Sequence, residues 1–247
     1  MTVSGAGAGT PPMLYTPPVI AVLYDVHGNL AALDAVLDDA RAAGAEQWIL
    51  GGDYALFGAW PAETVARLRE LEPAVWVRGN VDRWAGDPAE APDDAKIQAA
   101  IADCRGALGD TVADELGALP FESELAGARI VHASPVSDLR SFAPEPDAED
   151  AELLDGTTHP RLLFGHTHVQ FNRRARSADL ELVNPGSVGM PLDGDPRAAY
   201  ALIHPDRTLE LRRVRYDTAA AISALRETFG DKDWVGMISG RLERSRL

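Results

Sequence analysis

Short apolar runs rich in β-branched residues recur along the chain, and between them apolar positions repeat every three or four residues. The run Val19-Ile20-Ala21-Val22-Leu23-Tyr24 has the length and branching of a buried strand. Beyond it Leu30, Leu33, Val36, Leu37 and Ala40 fall on one helical face, with Gly44 placed to end the helix. Residues 48–50 read as the next strand. Residues 62–72 read as a second helix, with Val65, Leu68 and Leu71 inward and Pro61 in its first turn. A third strand follows at 75–78. Strands alternating with helices predict a largely parallel sheet with helices packed on it.

The rhythm changes at 84–119, where charged, alanine-rich helical sequence follows Pro88 and Pro92 and breaks near 106–109. This helical insert reads either as a cap over a site or as a solvated helix pair. Strand character returns at 128–132. Residues 134–160 hold several prolines and an acidic run, and read as a long loop or lid. After Leu162-Leu163-Phe164 the pattern turns to period two at 170–176, 180–183, 198–203 and 208–215, which predicts an antiparallel second sheet. The link Asn184-Pro185-Gly186-Ser187-Val188-Gly189 reads as a turn, or as backbone amides set near an anion. Helical spacing resumes over 217–229, and a further helix follows.

Composition narrows the class. At 247 residues, 46% hydrophobic and 25% charged, the chain is an ordinary globular one, expected as a single domain over 18–247. Residues 1–17 are rich in Gly, Ala, Thr and Pro and lack the basic start and apolar core of a secretory signal, which predicts a disordered leader. One cysteine, Cys104, precludes an internal disulfide and agrees with a reducing, cytoplasmic setting; it reads as a packing residue. The formal charge of −15 opposes non-specific nucleic acid binding. No apolar run approaches the length of a bilayer span, so no membrane association is expected.

The chemistry gathers at strand ends. Asp25 and His27 follow the first run, Gly51-Gly52-Asp53 the second, and Gly79-Asn80-Val81-Asp82 the third; His132 ends another, and Gly165-His166-Thr167-His168 follows Leu162-Leu163-Phe164. α/β proteins place ligands outside the carboxyl ends of strands. Each residue alone reads first as a cap or a satisfied polar group. Five strand ends in succession, each offering a donor, point instead to metal binding. Aspartate, imidazole and asparagine without thiolate favour Mn, Fe, Zn or Ni. Seven ligands exceed one tetrahedral ion and suit two ions about 3.5–4 Å apart with one carboxylate shared, Asp53 being the natural bridge.

These motifs, in this order over roughly 19–216, resemble the calcineurin-like metallophosphoesterases, and Asn184-Pro185-Gly186-Ser187 resembles their small bacterial, phosphodiesterase-like branch. The resemblance implies a four-layer α/β/β/α sandwich. It implies Asp25, His27 and His168 on one divalent ion, Asn80, His132 and His166 on a second, Asp53 on both, and a hydroxide between them as nucleophile. Asp82 is implied beside the site, orienting a ligand or backbone group, or is a turn aspartate. The family commonly has histidine directly after the asparagine, where this chain has Val81, and that favours diesters over monoesters. Arg83 and Arg140 are the candidate phosphate contacts, or surface ion pairs. The function so implied is a metal-dependent phosphodiesterase acting on a small-molecule or nucleotide phosphoester. The same metals would serve a phosphoprotein or dinucleoside polyphosphate phosphatase. A non-catalytic scaffold would go with lost ligands, and none is lost.

Overall fold

The computed structural model describes residues 17–176 and 179–247. All but the last residue of the leader expected at 1–17 lies outside the described residues. β1 (Val19–Leu23) leads to α1 (Leu30–Ala42), which starts at Asn29, whose side-chain oxygen accepts the Ala32 N–H and satisfies an orphan donor of the first turn. β2 (Ala45–Leu50), α2 (Pro61–Arg69) and β3 (Ala74–Trp76) continue the alternation. Next come α3 (Asn80–Gly86), a single 3₁₀ turn (Pro88–Glu90), α4 (Ala95–Leu108) and α5 (Asp110–Gly117), the break between the last two falling at Gly109. β4 (Glu122–Leu125) and β5 (Ala128–Val131) form a hairpin. Its turn residues Ala126 and Gly127 have φ of 52° and 76°, the positive values a two-residue hairpin turn requires. The chain continues through α6 (Asp150–Leu154), β6 (Arg161–Leu163), β7 (Phe171–Arg174), β8 (Glu181–Asn184), β9 (Ala198–Ile203), β10 (Leu209–Val214), α7 (Thr218–Phe229) and α8 (Asp233–Arg244).

Two mixed five-stranded sheets result, ordered β10-β9-β1-β2-β3 and β4-β5-β6-β8-β7. In the first, β1, β2 and β3 run parallel, β9 lies antiparallel to β1, and β10 antiparallel to β9. In the second, β5, β6 and β8 run parallel between antiparallel edges β4 and β7. The late strands therefore do not form an antiparallel sheet of their own. β9 is buried at every position, as a strand covered on both faces must be, and it inserts beside β1.

Four layers follow from which face each side chain takes. Ile20, Val22 and Ile49 of the first sheet meet Ile130, Leu163 and Val183 of the second in a core between the sheets. Ala21, Leu23 and Leu50 point the other way and pack with α1, α2, α4, α5, α7 and α8. Leu162, Phe164 and Leu182 on the outer face of the second sheet are covered by Phe142, Leu153 and Leu154. Residues 84–119 are accordingly no separate cap. Ile101, Cys104, Ala113 and Leu116 belong to the same core as the first sheet, and Trp84, Asp94 and Ile97 reach the cleft described below. The 134–160 segment, expected as a loop or lid, carries α6 and supplies the fourth layer, because its apolar side chains are buried under the second sheet.

Candidate metal centre

Every side chain predicted as a ligand sits just past a strand end. Asp25 and His27 follow β1, Asp53 follows β2, Asn80 opens α3 after β3, His132 follows β5, and His166 and His168 follow β6. The two sheets thus deliver donors to one edge of the sandwich. Asp25, His27, Asp53, His166 and His168 take φ of 54°, 50°, 59°, 67° and 58°, in the left-handed region. Such a conformation costs a non-glycine residue about 1–3 kcal/mol and persists only where the surroundings impose it. Here the imposing bonds are visible: the Asp25 N–H donates to Gly52 O at 3.1 Å, the His27 N–H to Asp53 O at 2.9 Å, and the His166 N–H to Asp25 Oδ2 at 3.1 Å. The loops also approach closely, for a Cβ on Gly79 would lie 2.0 Å from Asp53 Oδ1.

The donors form two clusters that share Asp53: Asp25, His27, Asp53 and His168 in one, Asp53, His132 and His166 in the other. In the first, the Nδ1 atoms of His27 and His168 lie 3.0 and 2.6 Å from the carbonyls of Leu56 and Met190. A carbonyl only accepts, so each Nδ1 carries the hydrogen and each neutral ring turns an Nε2 lone pair inward. Those two Nε2 atoms stand 3.1 Å apart. Two lone pairs at that distance make no hydrogen bond; they converge on a common point. Asp25 Oδ1, 3.5 Å from His168 Nε2, is buried without a hydrogen-bond partner among the described residues. Ligands about 2.0–2.2 Å from a shared ion lie about 3–3.5 Å from one another, so the set fits a divalent metal. In the second cluster, Asn80 Oδ1 lies 3.1 Å from His132 Nε2 and 2.9 Å from His166 Nδ1, and His132 Nδ1 donates to Gly51 O at 2.9 Å. Asp53 Oδ2 stands between, 3.7 Å from His27 Nε2 and 3.4 Å from His132 Nε2.

Electrostatics separates the groups. Burial pushes His27 and His168 down, so both imidazoles are neutral, and burial with the charge of His132 takes His166 down to about 4. His132 is the exception. Burial alone would lower it, but Asp53 and Asp25 outweigh that and hold it up at about 10. Burial would raise Asp53, yet His132, His27 and His166 together hold its carboxyl below the usual range. Asp25 is raised, chiefly by burial.

Asp82 accepts backbone N–H groups from Asp53 at 2.7 Å, Gly79 at 2.9 Å and Tyr54 at 3.0 Å, fastening the β2 loop to the start of α3. Burial and the Asp53 charge lift it to about 7 in the metal-free chain, against the pull of those donors. The Asn184-Ser187 link is a brace and not an anion site. Asn184 Nδ2 donates to Gly165 O at 3.0 Å and Thr167 Oγ1 at 2.9 Å, and Ser187 Oγ donates to Asp25 O at 2.7 Å. The two arginines expected at substrate are engaged elsewhere. Arg83 donates to both oxygens of Asp138, at 2.6 and 2.9 Å, and to Glu90 at 2.7 Å. Arg140 is exposed and pairs with Glu152 at 2.8 Å. In their place the cleft, about 350 Å³, is lined by Arg241 of α8, a residue outside every motif. Its signal in the sequence was only its position four residues after Met237 on an amphipathic helix.

The chain and its fold have known relatives. An uncharacterized protein of Methanocaldococcus jannaschii is 31% identical over 244 residues, covering 88% of this chain and 98% of its own. A metallophosphoesterase from Sphaerobacter thermophilus is 28% identical at a TM-score of 0.77, covering 92% of this chain and 99% of that one. A hypothetical protein from Pyrococcus horikoshii shares the fold, with a TM-score of 0.75 at 20% identity over 89% of this chain and 97% of its own. The calcineurin-like phosphoesterase superfamily domain matches residues 19–208, so the chain, with its Asp and His clusters at the strand ends, belongs to that superfamily of phosphoric ester hydrolases.

Proposed function

We propose that the protein is a phosphodiesterase that works with two divalent metal ions. The observation that carries the metal reading is the pair of inward Nε2 lone pairs, His27 and His168, 3.1 Å apart beside the unpartnered Asp25 Oδ1. Asp25, His27 and His168 would hold one ion, Asn80, His132 and His166 the other, and Asp53, common to both clusters, would bridge them. When bound, such ions supply an activated water and neutralise charge on an in-line displacement at phosphorus. The chain's own part is to fix that geometry. Backbone carbonyls of Leu56, Met190 and Gly51 set three imidazole orientations, and Asp82 sets the loop that carries Asp53.

The preference for diesters rests on the cleft wall. Val81 lines it, and the imidazoles on it are His27, His166 and His168, all assigned to metal. Among the described lining residues no spare imidazole is left to protonate a departing group. Substrates with acidic leaving groups are favoured. A monoester dianion also meets a more hostile field than a diester monoanion in a chain of charge −15. The test loads metal-free protein with Mn, Ni or Zn and measures metal content and hydrolysis of bis(p-nitrophenyl) phosphate, p-nitrophenyl phosphate, nucleotides and phosphopeptides. Two ions per chain with the diester ahead are expected. One ion or fewer, with Asp53→Asn fully active, overturns the proposal.

A further inference from the structure

We infer that Arg241 is the substrate-binding cation of this cleft, its guanidinium holding a non-bridging phosphoryl oxygen of the ester. The inference rests on the phosphoesterase reading above. Among the described residues lining the cleft, Arg241 is the sole lysine or arginine, and it shares that lining with His27, Asp53, Asn80, His166 and His168. Trp234, Val235, Ile238 and Leu242 bury one face of α8 in the helical core. Met237 and Arg241, one turn apart, present the adjoining face to the cleft. The helix is thereby fixed.

What sets Arg241 apart is that it has no partner among the described residues. The chain carries 38 acidic against 23 basic residues, and several other half-buried arginines are taken by carboxylates: Arg83 by Asp138, Arg173 by Asp150, Arg212 by Asp39, Arg213 by Asp193; Arg78 donates to the Gly117 carbonyl. Arg241 makes no ion pair or side-chain hydrogen bond among the described residues. Asp94, the one Asp or Glu side chain outside the metal clusters among the described residues lining the cleft, is occupied in capping α4, accepting the Lys96 and Ile97 N–H groups at 2.8 and 3.1 Å. Burial alone acts on Arg241 and lowers its pKa, where carboxylates raise those of Arg83 and Arg212. A half-buried cation without a counter-ion is costly in so acidic a chain. A phosphoryl oxygen entering the cleft satisfies it, and the planar fork of arginine suits two oxygens of one phosphoryl group. Val81, on the same wall, offers no such contact.

The experiment compares wild type, Arg241→Met and Arg241→Lys, each Mn-loaded. It measures KM and kcat for bis(p-nitrophenyl) phosphate and, by calorimetry, the binding of inorganic phosphate. Methionine keeps the apolar stem and removes an unpaired charge, so the unfolding midpoint is expected to stay at or rise above the wild-type value. Loss of a charge-assisted hydrogen bond predicts KM and the phosphate dissociation constant both raised about tenfold to a hundredfold, with kcat changed less, and partial recovery in Arg241→Lys. Wild-type phosphate binding and KM in Arg241→Met overturn the inference and leave the phosphoesterase reading standing. A wild-type chain that takes up no metal and cleaves no ester overturns that reading, and the inference falls with it.

Discussion

Truncating Asp82 to alanine tests whether the Asp53 loop is positioned by one buried acceptor. The Asp82 side chain takes three backbone donors, from Asp53, Gly79 and Tyr54, and is buried with them. Alanine leaves all three N–H groups buried without a partner, at about 1–3 kcal/mol each. A water entering the small space freed can satisfy one of them, which leaves a net loss of about 2–6 kcal/mol. Against a total stability of about 5–15 kcal/mol that is a large fraction. Asparagine keeps the shape and one acceptor oxygen, so Asp82→Asn is expected to cost about half as much. The assay is urea unfolding of EDTA-treated protein, which isolates the loop from the metal, followed by calorimetric titration of Mn into each variant. Both stability and Mn affinity are expected to fall in the order wild type, Asn, Ala. A loss under about 1 kcal/mol in Asp82→Ala, or equal losses in the two variants, refutes the reasoning.

Three further outcomes follow from the same geometry. Val81→His supplies an imidazole on the cleft wall, and is expected to improve p-nitrophenyl phosphate hydrolysis by about tenfold or more while flattening the dependence of rate on leaving-group pKa; parallel slopes in both proteins count against it. Metal uptake must displace the proton that Asp53 and Asp25 hold on His132 up to about 10, so Mn affinity is expected to rise about tenfold per pH unit between about pH 7 and 9. The sign is fixed because the metal-free chain binds the proton and the loaded one does not; titrations in buffers of different ionisation enthalpy check it, and a pH-independent affinity contradicts it. Arg140→Ala, where the native side chain is 48% exposed and among the described residues pairs only with Glu149 and Glu152, is expected to leave KM and the unfolding midpoint unchanged in steady-state assays and thermal melts.

Much of the site was legible because each donor directly follows an apolar run, and a run of β-branched residues announces a strand end in the sequence itself. The second sheet was not. Alternation along 198–203 and 208–215 reveals strands but not their neighbours: β9 pairs with β1 across most of the chain, and β10 pairs with β9. The β4 edge went unread because Glu122-Ser123-Glu124-Leu125 has little apolar content; only Gly127 marked its turn. The positive φ values of five donors carry no sequence signal, since Asp and His appear there in place of glycine. Arg83 and Arg140 were placed at substrate on sequence proximity to the motifs, whereas their partners Asp138 and Glu152 are acids no local pattern links to them.

The insertion of β9 beside β1 also sets an order of events during synthesis. β1 emerges early, but its Ile20, Ala21 and Val22 find Ile203, Leu202 and Ala201 only when nearly the whole chain has been made. Until then one edge of the most apolar strand stays open, and pairing across so long a separation is slow. The loop bearing Asp25 waits as well, since Ser187 and Gly189, which hold its carbonyl, arrive with the same late segment. A chain made only as far as β8 therefore has all seven candidate donors but not their arrangement.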